Sequence, residues 1–168
     1  MKKIGTFLSC SLVLVIFLSL FGCFEDKVKV EMASYYTIFS PKFKSMKDSV
    51  PKEPRADNAS IAASSKNITN TLQSFSKELQ SIKPKTPEVQ EVHAKICSLI
   101  SSATGLAEVA SQMPPEPDAA SMARIAKIQA AGDKTAKEIE SLLRKIASEH
   151  TSDEALRLLN ELDLHPGK

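Results

Sequence analysis

Three cysteines, three histidines and five glycines are all that this sequence of 168 residues sets aside for thiol, metal and phosphate chemistry. It holds no Cys-x-x-Cys-His for covalent haem and no Glu-x-x-His pair of the kind that di-iron bundles aim into their cores. A glycine-rich phosphate loop is missing too. An excess of one charge is also lacking, since 22 Lys and Arg face 20 Asp and Glu. Lys2 and Lys3 carry the whole of the difference, so the chain from Cys23 onward is neutral. That balance gives no sign of nucleic acid as a partner, nor of a strongly anionic membrane surface.

Charge is absent altogether from Ile4 to Gly22, a run of Leu, Val, Ile, Phe and small residues that follows the basic Met1-Lys2-Lys3. This is the order of an export signal, a basic start and then an apolar stretch. The run ends on Leu20-Phe21-Gly22-Cys23 and turns charged within two residues. Those four residues resemble the lipobox of bacterial lipoproteins, with Phe21 bulkier than the residue usual there. The resemblance covers residues 1 to 23 and implies that Cys23 receives a diacylglyceryl group on its sulfur and becomes the first residue of the mature chain. It further implies residues 1–22 as signal peptide, 23–31 as a lipidated tether that runs into the first helix, and 32–168 as the folded domain. Two other readings of the apolar run stay open. It is just long enough, at ~1.5 Å per residue, to cross a bilayer core of ~30 Å as an uncleaved anchor, and cleavage elsewhere would free the domain. All three readings export it. Cys10 lies inside the run with nothing like a lipobox before it. With Cys23 acylated, Cys97 is the one thiol left and no intrachain disulfide forms.

Proline is scarce outside three places: Pro51 and Pro54, Pro84 and Pro87, and Pro114, Pro115 and Pro117. Each cluster removes amide donors and pushes the preceding residue out of helical geometry, so each breaks a helix. The four segments between them carry apolar residues in steps of three and four. The first reads Met32, Tyr36, Phe39, Phe43, Met46, Val50. The second reads Ile61, Ser65, Ile68, Leu72, Phe75, Leu79, Ile82. The third reads Val89, Val92, Ile96, Leu99, Ala103, Leu106, Ala110, Met113, and the fourth Met122, Ile125, Gln129, Gly132, Ala136, Ile139, Leu143, Ile146. Such seams belong to helices packed nearly parallel or antiparallel. Short joints favour antiparallel neighbours, so the expected fold is all-α, an up-down four-helix bundle. Thr86-Pro87, and Asp118 or Glu116-Pro117, mark helix starts. Thr151 to Glu154 has the spacing of a capping box and opens a short fifth helix with Leu156, Leu159 and Leu162 on one side. Pro41, inside the first seam, is expected to kink that helix or begin its second half.

Candidate sites are few. Folding the third and fourth helices back around the joint near 115 sets side by side residues whose numbers sum to about 232. His93 and His150 then stand ~15 Å apart at ~1.5 Å per residue, too far for one metal. Cys97 points away from its seam and reads as a thiol half covered by a neighbouring helix, or as an exposed one that pairs with a partner. Gln129 and Gly132 interrupt the fourth seam. They mark either a mid-bundle pocket for a small ligand, or a register-setting hydrogen bond beside a close helix approach. Nearly all aromatic residues after Cys23 fall in the first segment, among them Tyr35 and Phe43. They form the bulky side of the core or a face that docks a partner helix. No nucleophile, base and orienting group occur together. The expectation is therefore a non-enzymatic helical protein of the cell envelope, without cofactor or metal. It would be held to a membrane through Cys23 and act on an envelope protein as scaffold, accessory subunit or surface binder. A bundle with a ligand near Gln129 is the alternative.

Overall fold

A computed structural model describes residues 26–49, 58–112 and 118–163. These residues form five helices and no strand: α1 Lys27–Ser49, α2 Asn58–Gln80, α3 Pro87–Ser111, α4 Ala119–Glu149 and α5 Asp153–Leu162. Of the described proline cluster, Pro84 lies in the joint and Pro87 is the first residue of α3, where no intrahelical amide donor is lost. Pro41 does not interrupt α1, which runs through it, and the residue lies on the exposed side of the helix.

Local chemistry fixes the ends. The Asp26 carboxylate accepts from the amides of Val28 and Lys29 at 3.0 and 3.2 Å, which satisfies two donors that the first turn leaves free. Lys27 to Glu31, read from the sequence as tether and helix start, are therefore helical from Lys27. Asp118 caps α4 by accepting from Ser121 N at 2.7 Å. The buried Ser152 caps α5 by accepting from Ala155 N at 3.3 Å.

Helix α3 packs along both α2 and α4, α5 lies on α4 and α1, and α1 also touches α2 and α3. Three pairs set the α3–α4 register. Lys95 bonds Glu138, a methyl on Gly132 would touch Ser102, and one on Gly105 would touch Ile128. As one number rises the other falls, so these helices run antiparallel, with sums close to that expected from the joint near 115. Glu31 meets Thr86 while Tyr35 meets His93, so α1 and α3 run the same way.

All five helices contribute to the core: Met32, Phe39, Leu79, Val92, Ile96, Ile139, Leu143 and Leu158 are all fully buried. In α1 the inward positions are Val28, Met32, Tyr35, Phe39 and Phe43, so Tyr35 and not Tyr36 occupies the seam. Its rings stack in sequence, Tyr35 on Phe39 at 5.7 Å and Phe39 on Phe43 at 5.4 Å, with Phe75 of α2 set edge-on to Phe39 at 5.9 Å. Aromatic pairs at these separations add to what area burial gives. In α5 the buried residues are Ala155, Leu158 and Leu159, whereas Leu156 is exposed.

Burial along α4 is uneven. Ile139, Leu143 and Ile146 are buried, but no residue from Ala119 to Glu138 is. In α2, buried Ser65 and Thr69 take places where large apolar residues would be expected, with the Thr69 hydroxyl donating to its own helix at Ser65 O. The apolar core is thus concentrated where α1 and α5 join the other helices.

Candidate functional site

A concavity of about 780 Å³ lies between the first three turns of α1 and the joint that carries the chain from α2 to α3. Tyr35, Ile82 and Pro84 give it apolar lining, and Val30 and Ile38 stand at its edge, 41% and 47% exposed. Lys27, Lys83 and Lys85 also line it, all exposed and none of them ion-paired among the described residues.

The joint owes its position to Glu31. That carboxylate accepts from the amide of Lys85 and, at 2.6 Å, from the amide of Thr86. Burial pushes its pKa upward, but these hydrogen bonds outweigh the burial and hold it below the usual carboxylate value. Gln90 reinforces the turn by donating to the carbonyls of Pro84 and Lys85. The extended segment 81–86 is thereby clamped to α1 and α3, with Ile82 turned into the core.

Beneath the groove sits a small polar cluster. The Tyr35 hydroxyl lies 3.1 Å from His93 Nδ1, and the Cys97 sulfur 3.6 Å from His93 Nε2. His93 and Cys97 face each other because they are one helical turn apart on α3. Burial lowers the His93 pKa, helped by the nearby Lys83 charge, and burial raises that of Cys97. Burial also raises the Tyr35 phenol. All three shifts favour uncharged groups, so the cluster is a neutral hydrogen-bonded set. A thiolate and imidazolium pair, which a cysteine nucleophile needs, is disfavoured.

At the same end of the molecule His150 Nδ1 lies 2.8 Å from Asp26 Oδ2, and this hydrogen bond is the main reason the Asp26 pKa falls. A second concavity, about 640 Å³, lies beside this pair and shares Val30 and Ser34 with the first. Its lining includes Asp26 and Glu154 along with Lys29, so its charge is mixed.

The sequence-derived candidates fare differently. Tyr35 and Phe43 are 2% and 9% exposed and belong to the core, which removes them as a partner face. Gln129 is exposed, because Ile128 takes the inward place in α4 and packs toward Gly105. Gln129 thus points away from the core, and neither it nor Gly132 lines either of these two concavities. Gly132 faces α3, but a methyl there would meet Ser102 Cβ at an ordinary 3.9 Å, so close helix approach does not require glycine. Cys97 is half covered, as the first of its two readings has it. Cys23, Cys10 and His165 lie outside the described residues. So does the apolar run 4–22; among the described residues no helix is long and apolar enough to cross a membrane, and no three His, Cys, Asp or Glu gather as a metal site.

The chain is a member of a lipoprotein family. That family is the one described as Uncharacterised lipoprotein PM1805, whose model matches residues 42–151. The match leaves out the lipobox-like residues and the first part of α1, so it does not rest on the signal. No curated relative and no solved structure matches the chain.

Proposed function

We propose that the protein is an exported lipoprotein without enzymatic activity, held at a cell-envelope membrane by acyl groups on Cys23, and that its helical domain serves as a binding or scaffolding module there. The observation that carries this reading is the coincidence of two separate signals. Leu20-Phe21-Gly22-Cys23 resembles a lipobox, and residues 42–151, which do not include it, match a lipoprotein family. Removal of residues 1–22 and fatty acylation of the cysteine are parts of the proposal. So is the arrangement of α1 to α4 as an up-down-up-down bundle with α5 as a short fifth helix. The antiparallel α3 and α4 and the co-directional α1 and α3 support that arrangement.

The absence of catalysis is likewise a proposal. It is supported by the neutral Tyr35, His93 and Cys97 cluster, which offers no activated nucleophile. A ligand, if one is bound, belongs in the groove along α1, where apolar and cationic groups converge, and not near Gln129.

The test is intact mass of the protein purified from detergent-solubilised membranes, together with fractionation of wild type and Cys23→Ser. A mass equal to residues 23–168 plus acyl groups, and loss of the membrane-bound fraction in the variant, are the expected results. A wild-type mass that retains Met1 and carries no lipid would refute the reading.

A further inference from the structure

We infer that the groove between α1 and the 81–86 joint is a docking site for anionic phospholipid of the bilayer that holds the anchor. The inference rests on the acylation of Cys23 proposed above. Lys27 follows Cys23 by four residues. At ~3.5 Å per residue the chain separates their Cα atoms by no more than ~14 Å. Whatever path those residues take, the start of α1 stays within reach of the headgroup layer. The groove begins at Lys27 itself.

Its chemistry fits an amphiphile with a negative head. Val30 and Ile38 are two turns apart on one side of α1, and each leaves two-fifths or more of its surface in water. Exposed apolar residues standing singly are ordinary, whereas contiguous ones mark interaction sites, and Val30 and Ile38 share one lining with Tyr35, Ile82 and Pro84. Between them and the joint, Tyr35, Ile82 and Pro84 supply an apolar lining for part of an acyl chain. Lys27, Lys83 and Lys85 provide cationic heads at the same groove.

Glu31 is the one carboxylate in the lining. Its two oxygens accept from the amides of Lys85 and Thr86 and its charge also feels Lys85, so the lining sets one negative charge against three positive ones. The adjoining second concavity differs here, because Asp26 and Glu154 face the single Lys29 around it. Anionic lipid is thus favoured at the first and not at the second. The neutrality of the chain after Cys23 is compatible with this, since the three lysines form a local cluster and long-range attraction is not needed once the anchor supplies proximity. A lysine close to an anionic surface is worth about fivefold in affinity, so three of them make a contrast of at least tenfold between anionic and zwitterionic bilayers.

The experiment uses the full lipidated protein reconstituted into vesicles of phosphatidylcholine alone, or of phosphatidylcholine with 30% phosphatidylglycerol (~30%, an amount typical of anionic leaflets). Each preparation contains a trace of phosphatidylglycerol or phosphatidylcholine bearing a photoactivatable group on its acyl chain. Crosslinked peptides are mapped by mass spectrometry. The expected result is labelling concentrated between residues 30 and 38 and between 82 and 85, at least tenfold stronger with the anionic probe. It should be lost when Lys27, Lys83 and Lys85 are all changed to Gln and retained when all three are changed to Arg. All three side chains are exposed, so both variants fold, which circular dichroism verifies.

Equal labelling by the two probes would overturn the inference, as would labelling by the anionic probe that survives the Gln variant. The first outcome points to an unselective apolar groove filled by any chain, including the anchor's own, and the second to contact through another face. Failure of the anchor itself is read separately, as an intact mass without acyl groups, and does not depend on the ratio between probes.

Discussion

The facing of Ser102 and Gly132 gives a direct handle on the α3–α4 register. Ser102 Cβ lies 3.9 Å from the place a Cβ on residue 132 would occupy, and bridged cysteines average ~3.8 Å between Cβ atoms. Ser102→Cys combined with Gly132→Cys, made with Cys97→Ser so that no other free thiol remains, is expected to close a disulfide under mild oxidation. The bridge encloses a loop of about 30 residues, which in the chain-entropy treatment stabilises the fold by about 3.5 kcal/mol. For a domain of roughly 140 residues that corresponds to a rise in Tm of about 12 °C. The assay is thiol counting and mobility on a non-reducing gel, followed by thermal melts with and without reductant. Ser102→Cys with Gln129→Cys serves as the control, because Gln129 faces water and its thiol should stay free. If the control pair closes as readily as the 102 and 132 pair, or if the latter closes only in denaturant, the antiparallel register is wrong.

Three further outcomes follow from the packing and the buried polar cluster. Phe39→Ala removes a fully buried ring that touches Tyr35, Phe43 and Phe75. It should cost about 4 kcal/mol, a fall of about 2 M in the urea midpoint; a loss below ~1 kcal/mol would mean that α1 is not docked on α2. Gly132→Ala should raise stability by about 0.5 to 1 kcal/mol, since the methyl fits and glycine is a poor helix former, and a melt showing a loss would reveal a tighter α3–α4 approach. Burial depresses the His93 pKa, so its contribution to stability is complete above the unfolded value of ~6.5 and fades as acid drives protons onto the unfolded chain. Wild type should therefore lose more stability than His93→Gln between about pH 7.5 and 5.5, and equal losses in paired denaturation curves would show that His93 protonates as easily when folded.

Helix number, the positions of the joints, most inward residues of α2 and those of the first half of α3 were legible in the sequence, because proline chemistry is local and the apolar steps of three and four are strong there. The misassigned positions share one cause. Tyr36, Gln129 and Leu156 satisfy a strict heptad count, yet Tyr35, Ile128 and Leu158 are the residues that turn inward or toward a neighbour. In α1 the buried steps run four, three, four, four, closer to the 3.6 residues of a straight helix than to 3.5, and a strict alternation of four and three puts its three-residue step one turn too late, at Tyr36.

The groove was not legible at all. Its two walls, α1 near residue 30 and the joint near residue 84, are joined by Glu31 reaching two backbone amides, a contact with no periodicity to betray it. Lys83-Pro84-Lys85 registered as a break between helices, and the same residues turn out to form a cationic edge. His150 was weighed as a possible metal ligand, whereas its partner is Asp26, more than a hundred residues earlier.

The lopsided burial along α4 gives one continuous helix two different lifetimes. From Ile139 to Ile146 its backbone is sealed under fully buried side chains, and those amides are released only when the whole domain comes apart. From Ala119 to about residue 135 its alanines are exposed and Ser121, Ile125, Ile128, Gly132 and Thr135 are only partly covered, so that segment should open at a smaller free-energy cost. A protein fixed to lipid at its first residue would then carry its most easily remodelled surface on the half of α4 that lies away from the anchored end.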